Sequence, residues 1–239
     1  SATNDGGIGM LQALGYDFLD KNGTPVGYGG AGLQSIARIQ AENVLPELKD
    51  CTFRVACDVT NPLCGPMGSS AIYGPQKGAT PEMVKELDEA LLHYAELSKE
   101  TFDHADRLYP GTGAAGGMGF AFLTYTNAVL ESGIKIVLEE TGLEDEMKDA
   151  DFVITGEGRL DSQTALGKAP IGVAHLAKKH AFAGCLTPDA GVCNENGIDA
   201  FFPILRRVIT VQEAMEKENA RENMIRSVEQ VFRLIKAVQ

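Results

Sequence analysis

The sequence predicts an α/β protein made of two domains, on the strength of three observations. From about residue 151 onward, apolar strand-like runs alternate with helical segments, which is typical of a parallel sheet covered by helices. Before that point clear strands are few and glycine-rich loops are long. A chain of 239 residues suits one large domain or two small ones. We therefore place a boundary that gives domains 1–150 and 151–239.

In the first predicted domain, short elements accompany one long helix. Residues 6–14 predict a helix, "YDFLD" a short strand, and "FRVACDV" a buried strand that delivers Asp58 to its end. Thr80 is placed to cap a long helix that starts with Pro81 and carries apolar residues at helical spacing as far as Phe102. The segment "FAFLTYTNAVL" is apolar nearly all round, so we predict a buried helix across it.

The second predicted domain repeats strand, loop and helix. "DFVITGEG", "AFAGCL" and "FFPILRRVI" predict strands, and "VAHLAKKH" predicts a helix between the first two. Thr210 and Glu213 have the spacing of a capping box at the start of a helix. The segment "KKHAFAG" passes from helix to strand with no turn residue, although such connections usually take about 2 to 6 residues. We therefore expect a few residues to be absent, and the chain to show a break, between His180 and Ala181.

Composition and charge narrow the classes of partner. A formal net charge of -12 disfavours nucleic acid and anionic membranes, because both would repel the protein at long range. An anionic small molecule is compatible only with a local cluster of cations and backbone N–H groups. No apolar run approaches the roughly 20 residues that span a bilayer. Scattered cysteines without CxxC spacing predict free thiols and a cytoplasmic location, and the oligomeric state stays open, a homo-oligomer included.

Two glycine motifs resemble nucleotide-binding signatures but lack their context. "GTGAAG" at 111–116 matches GxGxxG, yet it follows the polar segment "DHADRLYP" rather than a buried strand, so an NAD-dependent oxidoreductase is disfavoured. Its glycines fit either an anion site at a helix N-terminus or the close packing of a buried helix. "LGKA" at 166–169 lacks the first glycine and the hydroxyl of a P-loop.

Carboxylates follow two of the predicted strands. Asp58 ends one strand, and Glu157 and Asp161 follow another. Ligands of open α/β sheets lie beyond the carboxyl ends of strands, so these groups are candidates to hold Mg²⁺ or to take a proton from a substrate hydroxyl. Each one alone fits a loop cap or turn residue better than a functional group. Together with nearby hydroxyl and cationic side chains they favour phosphoryl transfer. These further side chains are Ser69, Ser70, Lys77, Arg159 and Lys168.

Four long segments resemble, in order and spacing, the signature blocks of the bacterial glycerate kinases. They are "SATNDGG", "VACDVTNPLCGPMGSSAIYGPQKGA", "GTGAAGGMG" and "ITGEGRLDSQTALGKAPIGVA". The resemblance implies ATP-dependent phosphorylation of D-glycerate, at the 2-hydroxyl to give 2-phosphoglycerate, with Mg²⁺. It also implies two different α/β domains, one with a flavodoxin-like parallel sheet that is split in sequence and one inserted within it. Of the split domain, only the C-terminal part would be present here, in residues 151–239. The alternative is a non-catalytic α/β domain that binds a small ligand.

The residues and the resemblance together give a predicted site. Asp58 and Asp161 are expected to be catalytic and to face one cleft from opposite sides. Metal ligands are expected at Asp58, Glu157 and Asp161. Substrate-binding residues are expected at Asn61, Ser69, Ser70, Lys77 and Arg159. Nucleotide- or phosphate-binding residues are expected at Thr3, Asn4, Gly113, Gly116, Gly117 and Lys168.

Overall fold

The computed structural model describes residues 3–162, 164–166, 169–177 and 179–238. The chain forms two compact units, residues 1–133 and 134–239. This division lies earlier than the predicted boundary after residue 150. The difference arises because residue 134 already packs against the second unit. The Ile134 side chain lies so close to Gly172 that a Cβ added to Gly172 would be 2.2 Å from it. The assignment of one unit as inserted and the other as part of a split domain stays a prediction.

Unit 1, residues 1–133, combines helices with two small sheets. Its elements in chain order are α1 (Ile8–Ala13), β1 (Asp17–Leu19), α2 (Gly30–Leu33), β2 (Arg38–Gln40), β3 (Arg54–Ala56), α3 (Ser69–Tyr73), α4 (Pro81–Thr101), α5 (Ala114–Tyr125) and β4 (Val129–Glu131). Short 3-10 helices occur at Pro46–Asp50 and Pro75–Lys77. Strands β1 and β2 pair antiparallel, whereas β3 and β4 pair parallel.

The long helix α4 organises the core of unit 1. As predicted, Pro81 occupies its first turn and the Thr80 hydroxyl caps it by accepting a hydrogen bond from the Met83 N–H at 3.3 Å. Leu91 and Tyr94 on its apolar face are fully buried, together with Phe18 and Phe120 from neighbouring elements. This aromatic-rich core fixes the loops that surround it.

The apolar segment "FAFLTYTNAVL" is not one helix, and the prediction for it was wrong in its second half. Helix α5 ends at Tyr125, and the backbone at Thr126 is already extended. The residues that follow form β4, because Val129 and Leu130 pair in parallel register with Arg54 and Val55 of β3. Long-range pairing therefore overrides the helical pattern.

Unit 2, residues 134–239, is built on a parallel sheet as the alternating pattern predicted. Its elements are α6 (Gly133–Thr141), α7 (Leu143–Met147), β5 (Ile154–Leu160), α8 (Ala169–Ala177), β6 (Lys179–Leu186), α9 (Val192–Glu195), β7 (Ile198–Pro203), α10 (Val211–Met215) and α11 (Lys217–Val238). A 3-10 turn spans Thr164–Leu166. The sheet order is β5-β6-β7, with both pairs parallel.

Two details of unit 2 differ from the sequence prediction. Strand β7 ends at Pro203, so the second half of "FFPILRRVI" is a connection rather than strand. Strand β6 runs continuously through His180 and Ala181, where we expected a break in the chain. The irregularity at this point is confined to the register between β6 and β7, which shifts between Lys179 and Ala181. The capping box of Thr210 and Glu213 at the start of α10 is confirmed.

The helices that the structure describes are too short or too polar to cross a membrane. Within the described residues, none combines the length and the apolar character that crossing a bilayer requires.

Candidate functional site

A buried polar network in unit 1 joins the first residues of the chain to α3. The Asn4 amide donates to the Ser70 hydroxyl at 2.8 Å and accepts from the Ser69 hydroxyl at 2.9 Å. Both serines are completely buried and Asn4 is 9% exposed. The predicted substrate contact of Ser69 and Ser70 stays a prediction, and in this structure both hydroxyls are directed at Asn4 rather than at solvent. They hold the segment that begins with Thr3 in place.

Lys77 also contacts the segment that begins with Thr3. Its ammonium group donates to the Thr3 carbonyl at 2.6 Å. Burial lowers the pKa of Lys77 from its ordinary value, while the nearby Asp5 carboxylate acts in the opposite direction. The side chain lies at a pocket of about 480 Å³ that is also lined by Tyr73 and Ala115. Lys77 therefore brings a cation to the wall of a concave site.

The predicted phosphate-binding glycines occupy a left-handed turn at the start of α5. Ala115, Gly116 and Gly117 have φ values of 50°, 77° and 96°. A Cβ on Gly116 would lie 2.3 Å from the Thr3 carbonyl oxygen, and one on Gly117 would lie 2.7 Å from the Gly6 Cα. Only glycine permits this approach of two backbone segments.

Gly113 also has a packing role. Its N–H donates to the Asn61 carbonyl at 2.9 Å, and an added Cβ would lie 2.2 Å from the Pro62 carbonyl oxygen. Of the two readings of "GTGAAG", close packing has direct support at Gly113, Gly116 and Gly117. A phosphate contact by their N–H groups stays a prediction.

Asn61 is fixed by a neighbouring aromatic side chain. The Tyr73 hydroxyl donates to Asn61 Oδ1 at 2.6 Å, and Asn61 Nδ2 donates to the Met67 carbonyl at 2.9 Å. Tyr73 lines the pocket beside Lys77, so Asn61 is connected to that pocket through its hydrogen bond with Tyr73. The predicted substrate role of Asn61 is therefore compatible with its position but requires a change of hydrogen-bond partners.

Asp58 follows the carboxyl end of β3, as the sequence predicted. The residue is exposed, and its Oδ1 accepts a hydrogen bond from the Gly133 N–H at 2.9 Å. Because β3 and β4 are parallel, both residues follow strand ends at the same sheet edge. Asp58 thus closes a turn with one oxygen and presents a carboxylate at that edge. Asp161 belongs to the other unit, so the shared cleft stays a prediction.

In unit 2, Asp161 is held firmly at the end of β5. It is 6% exposed, and its Oδ2 accepts from Arg159 Nε at 3.0 Å and Nη2 at 2.9 Å. The Thr164 N–H donates to Asp161 Oδ1 at 3.2 Å, and the Thr164 hydroxyl donates to Glu157. Thr164 therefore links the two predicted carboxylates Glu157 and Asp161, which places them side by side.

Sequence reasoning missed three members of this cluster, Thr164, Asp189 and Cys193. Asp189 follows β6 as Asp161 follows β5, and Ser162 donates its N–H to Asp189 Oδ2 at 3.1 Å. Hydrogen bonds from Ser162 and Thr187 lower the pKa of Asp189 to about 2. The signal in the sequence was the position of Asp189, just after an apolar strand, at the sheet edge that also carries Asp161.

Cys193 is a buried neighbour of Asp161. Its buried thiol contacts the Asp161 carbonyl oxygen at 3.6 Å. Burial, and then the charges of Glu157, Asp161 and Asp189, raise the pKa of the Cys193 thiol. The carboxylates of Glu157, Asp161 and Asp189 are therefore close enough to the Cys193 thiol for their charges to act on it.

The predicted metal ligands do not form a complete cage. Within residues 3–162, 164–166, 169–177 and 179–238, no group of three or more His, Cys, Asp or Glu side chains is placed to hold a metal ion. Mg²⁺ usually takes only one or two carboxylates and completes its shell with waters and substrate phosphates. The paired carboxylates of Glu157 and Asp161 fit such a partial site. Lys168, also predicted to bind phosphate, lies outside the described residues.

Comparison with known proteins decides the family. The family model described as "Glycerate kinase family" matches residues 1–236 of the chain. The chain belongs to the glycerate kinase family. A glycerate kinase from Haemophilus influenzae is 49% identical over 240 residues, which cover 98% of this chain and 63% of that protein. A glycerate 2-kinase from Escherichia coli is 50% identical over 232 residues, which cover 95% of this chain and 60% of that protein.

A solved structure supports the fold. The crystal structure of a protein from Salmonella typhimurium LT2, provisionally assigned as glycerate kinase 2, matches this glycerate kinase family chain with a TM-score of 0.86 and 45% identity. The match covers 100% of this chain and 63% of that one. The mixed α/β architecture with small parallel sheets is thereby confirmed. The chain spans about three fifths of the length of these relatives.

Proposed function

We propose that this chain is part of a kinase that transfers the γ-phosphoryl group of ATP to the 2-hydroxyl of D-glycerate, giving 2-phosphoglycerate and ADP. The observation that carries the proposal is the family match along residues 1–236, at up to 50% identity to a glycerate 2-kinase. This match favours a catalytic protein over the non-catalytic binding domain that the sequence also allowed. A cytoplasmic location is proposed with it, on the cysteine usage alone.

The pocket beside Lys77 is proposed to receive an anionic group of the substrates. Lys77 is a cation at its wall, and the Thr3 carbonyl and the Asn4 network hold that ammonium group in one position. A preorganised cation stabilises charge that develops on a phosphoryl group without reorganising at the moment of reaction. The left-handed turn at Gly116 and Gly117 keeps the same backbone segment in place.

The carboxylates are proposed to act on the hydroxyl and on the metal. The glycerate 2-hydroxyl oxygen forms a bond to the γ-phosphorus, the bond from that phosphorus to the β–γ bridging oxygen breaks, and ADP leaves with the electron pair. The hydroxyl proton passes to a carboxylate, for which Asp58 and Asp161 are the candidates. Glu157 and Asp161 would hold Mg²⁺, which supplies charge neutralisation to the phosphates when bound.

Arg159 is proposed to bind the substrate carboxylate or a phosphate. A guanidinium holds either group through two parallel hydrogen bonds. In the structure its Nε and Nη2 both contact Asp161 Oδ2, and its side chain is 60% exposed. The side chain is therefore oriented by one carboxylate while remaining accessible to a ligand.

A matched pair of lysine variants tests the proposal. In a coupled assay that follows D-glycerate-dependent ADP formation, Lys77→Met is expected to lower kcat/KM at least about tenfold, which corresponds to about 1.4 kcal/mol of transition-state binding. Lys85→Met is the control, because the Lys85 side chain is 78% exposed on α4 and pairs only loosely with Glu89 at 3.9 Å. We expect the control to stay within about twofold of the parent. Absence of ADP formation that depends on glycerate would contradict the proposed function itself.

A further inference from the structure

We propose a second anion-binding site in unit 2, formed by Arg206, Arg207 and Arg226, that takes a small phosphate-bearing molecule. None of these arginines belongs to the site proposed above. The three side chains line a pocket of about 360 Å³, together with Asn219, Glu222 and Asn223. The pocket lies between the connection that follows β7 and the first turns of α11.

The balance of charge in this pocket is positive, against the trend of the whole protein. Three guanidinium groups and one carboxylate, Glu222, line it, whereas the chain as a whole carries a formal net charge of -12. Arg226 Nε donates to Glu222 at 2.8 Å, which neutralises one pair. Arg206 and Arg207 are exposed and form no ion pair within the described part of the chain. Arg207 lies near one further carboxylate, because its charge contributes to lowering the pKa of Glu213. Glu213 does not line the pocket, so three guanidinium groups still face one carboxylate there.

The polar groups around the arginines also favour an anion. Asn219 is occupied, since its amide donates to the Glu213 carbonyl at 2.9 Å and to Glu216 at 3.0 Å. Asn223 is half-buried and has no hydrogen-bond partner among the described residues, so its amide is available to a ligand.

The number and type of donors indicate the ligand class. Guanidinium groups match the geometry of phosphate oxygens and form two parallel bonds to each group. Three arginines beside one carboxylate leave an excess of positive charge, which suits a dianion better than a single carboxylate because the attraction grows with the charge of the ligand. The pocket volume of about 360 Å³ limits the ligand to a small molecule rather than a polymer.

A titration with pyrophosphate tests this site without measuring catalysis. Binding is followed by NMR at the arginine side-chain Nε–H signals and at the backbone amides of residues 206 and 207, so that binding elsewhere on the protein is distinguished. Arg207→Gln and Arg226→Gln are each expected to weaken this binding at least about tenfold. Acetate at the same ionic strength is expected to cause no comparable shifts, because one carboxylate carries too little charge.

The matched control is Arg233→Gln on the same helix. Arg233 pairs with Glu229 at 2.8 Å, as Arg226 pairs with Glu222 at 2.8 Å, but it does not line the pocket. Unchanged affinity in Arg233→Gln would support the site, and an equal loss in this variant would overturn it in favour of general attraction. Shifts with citrate that equal those with pyrophosphate would overturn the phosphate-bearing class of ligand. Absence of pyrophosphate shifts at residues 206 and 207 would overturn the site, whatever the outcome of the glycerate assay.

Discussion

Two long helices, one in each unit, show how differently the two units are held together. Helix α4 in unit 1 buries Leu91 and Tyr94 completely, and Ala90, Ala95 and Ser98 lie with them. Helix α11 in unit 2 is as long and as clearly amphipathic, yet none of its residues, all of which the structure describes, is buried. An amphipathic pattern therefore predicts a helix and its apolar face but does not determine how far that face is covered.

The hydrophobic core of unit 1 is also larger and more aromatic than that of unit 2. Unit 1 packs tyrosine and phenylalanine rings around Tyr94, with ring centroids 5.3 Å apart for Tyr94 and Phe120. The core of unit 2 consists of a few aliphatic side chains and small residues, among them Ala174, Ala183 and Cys193. The polar groups of the two units also differ in how deeply they are buried. Unit 1 encloses the Asn4 network, whereas the carboxylates of unit 2 lie at a sheet edge with Arg159 exposed.

The largest expected effect is a difference in stability when leucine is replaced by alanine in α4 and in α11. Leu91→Ala in α4 is expected to lower the free energy of unfolding by about 2 to 5 kcal/mol, because it leaves a cavity in the core. Leu234→Ala in α11, where Leu234 is 58% exposed, is expected to change it by no more than about 0.5 kcal/mol. Urea unfolding followed by tyrosine fluorescence reports unit 1 alone, since all six tyrosines lie within residues 1–133 and the chain has no tryptophan. Circular dichroism follows both units, and equal losses for the two variants would break the comparison.

The buried network of unit 1 gives the next effect. Asn4→Ala is expected to cost about 1 to 3 kcal/mol of unfolding free energy, because it leaves the buried hydroxyls of Ser69 and Ser70 without a partner. The control is Asn43→Ala, which removes an exposed hydrogen bond of 2.8 Å to Asp17 in the same unit. The control is expected to lie within about 0.5 kcal/mol of the parent. The same tyrosine fluorescence measurement compares the two, and a loss as large for Asn43→Ala would show that burial is not what matters.

At the exposed edge of unit 2, the expected effect is on catalysis rather than on stability. Arg159→Lys keeps the charge but removes the planar fork, so kcat/KM is expected to fall at least about tenfold, or about 1.4 kcal/mol. The unfolding midpoint is expected to change little in Arg159→Lys, because the lysine keeps a positive charge beside the buried Asp161 carboxylate. Steady-state kinetics with D-glycerate and ATP measure the first, and urea unfolding the second. Unchanged kinetics in Arg159→Lys and in Arg159→Ala would remove Arg159 from the site.

The smallest effect concerns acid stability. Asp189 has a folded-state pKa of about 2, below the value of about 3.9 for an unfolded chain. Its contribution to stability is therefore complete above about pH 4 and is lost as the pH falls toward 2. NMR titration of the Asp189 carboxyl measures the pKa directly, and Asp189→Asn is expected to flatten the fall in stability below pH 4. A measured pKa near 4 would show that the hydrogen bonds from Ser162 and Thr187 are not maintained in solution.

The sequence predicted the elements that depend on local signals. Thr80 with Pro81, and Thr210 with Glu213, marked helix starts because a cap is a contact between near neighbours in the chain. The strand at Val129 was missed because only its pairing with β3 distinguishes it from a helical continuation. In the site, the position of Asp58 and Asp161 after strands could be predicted, whereas the contact of Asn4 with Ser69 joins residues far apart in sequence and left no local signal.

The phosphorus NMR spectrum of the reaction product tests the central claim most directly. The protein is incubated with D-glycerate, ATP and Mg²⁺, and the new phosphomonoester signal is recorded with proton coupling. A phosphate on the 2-oxygen couples to the single proton on C2, so the account predicts a doublet that grows as ATP is consumed. A triplet, which the two protons on C3 would produce, would contradict transfer to the 2-hydroxyl, and the absence of any phosphomonoester from an intact protein that binds ATP would contradict the kinase function.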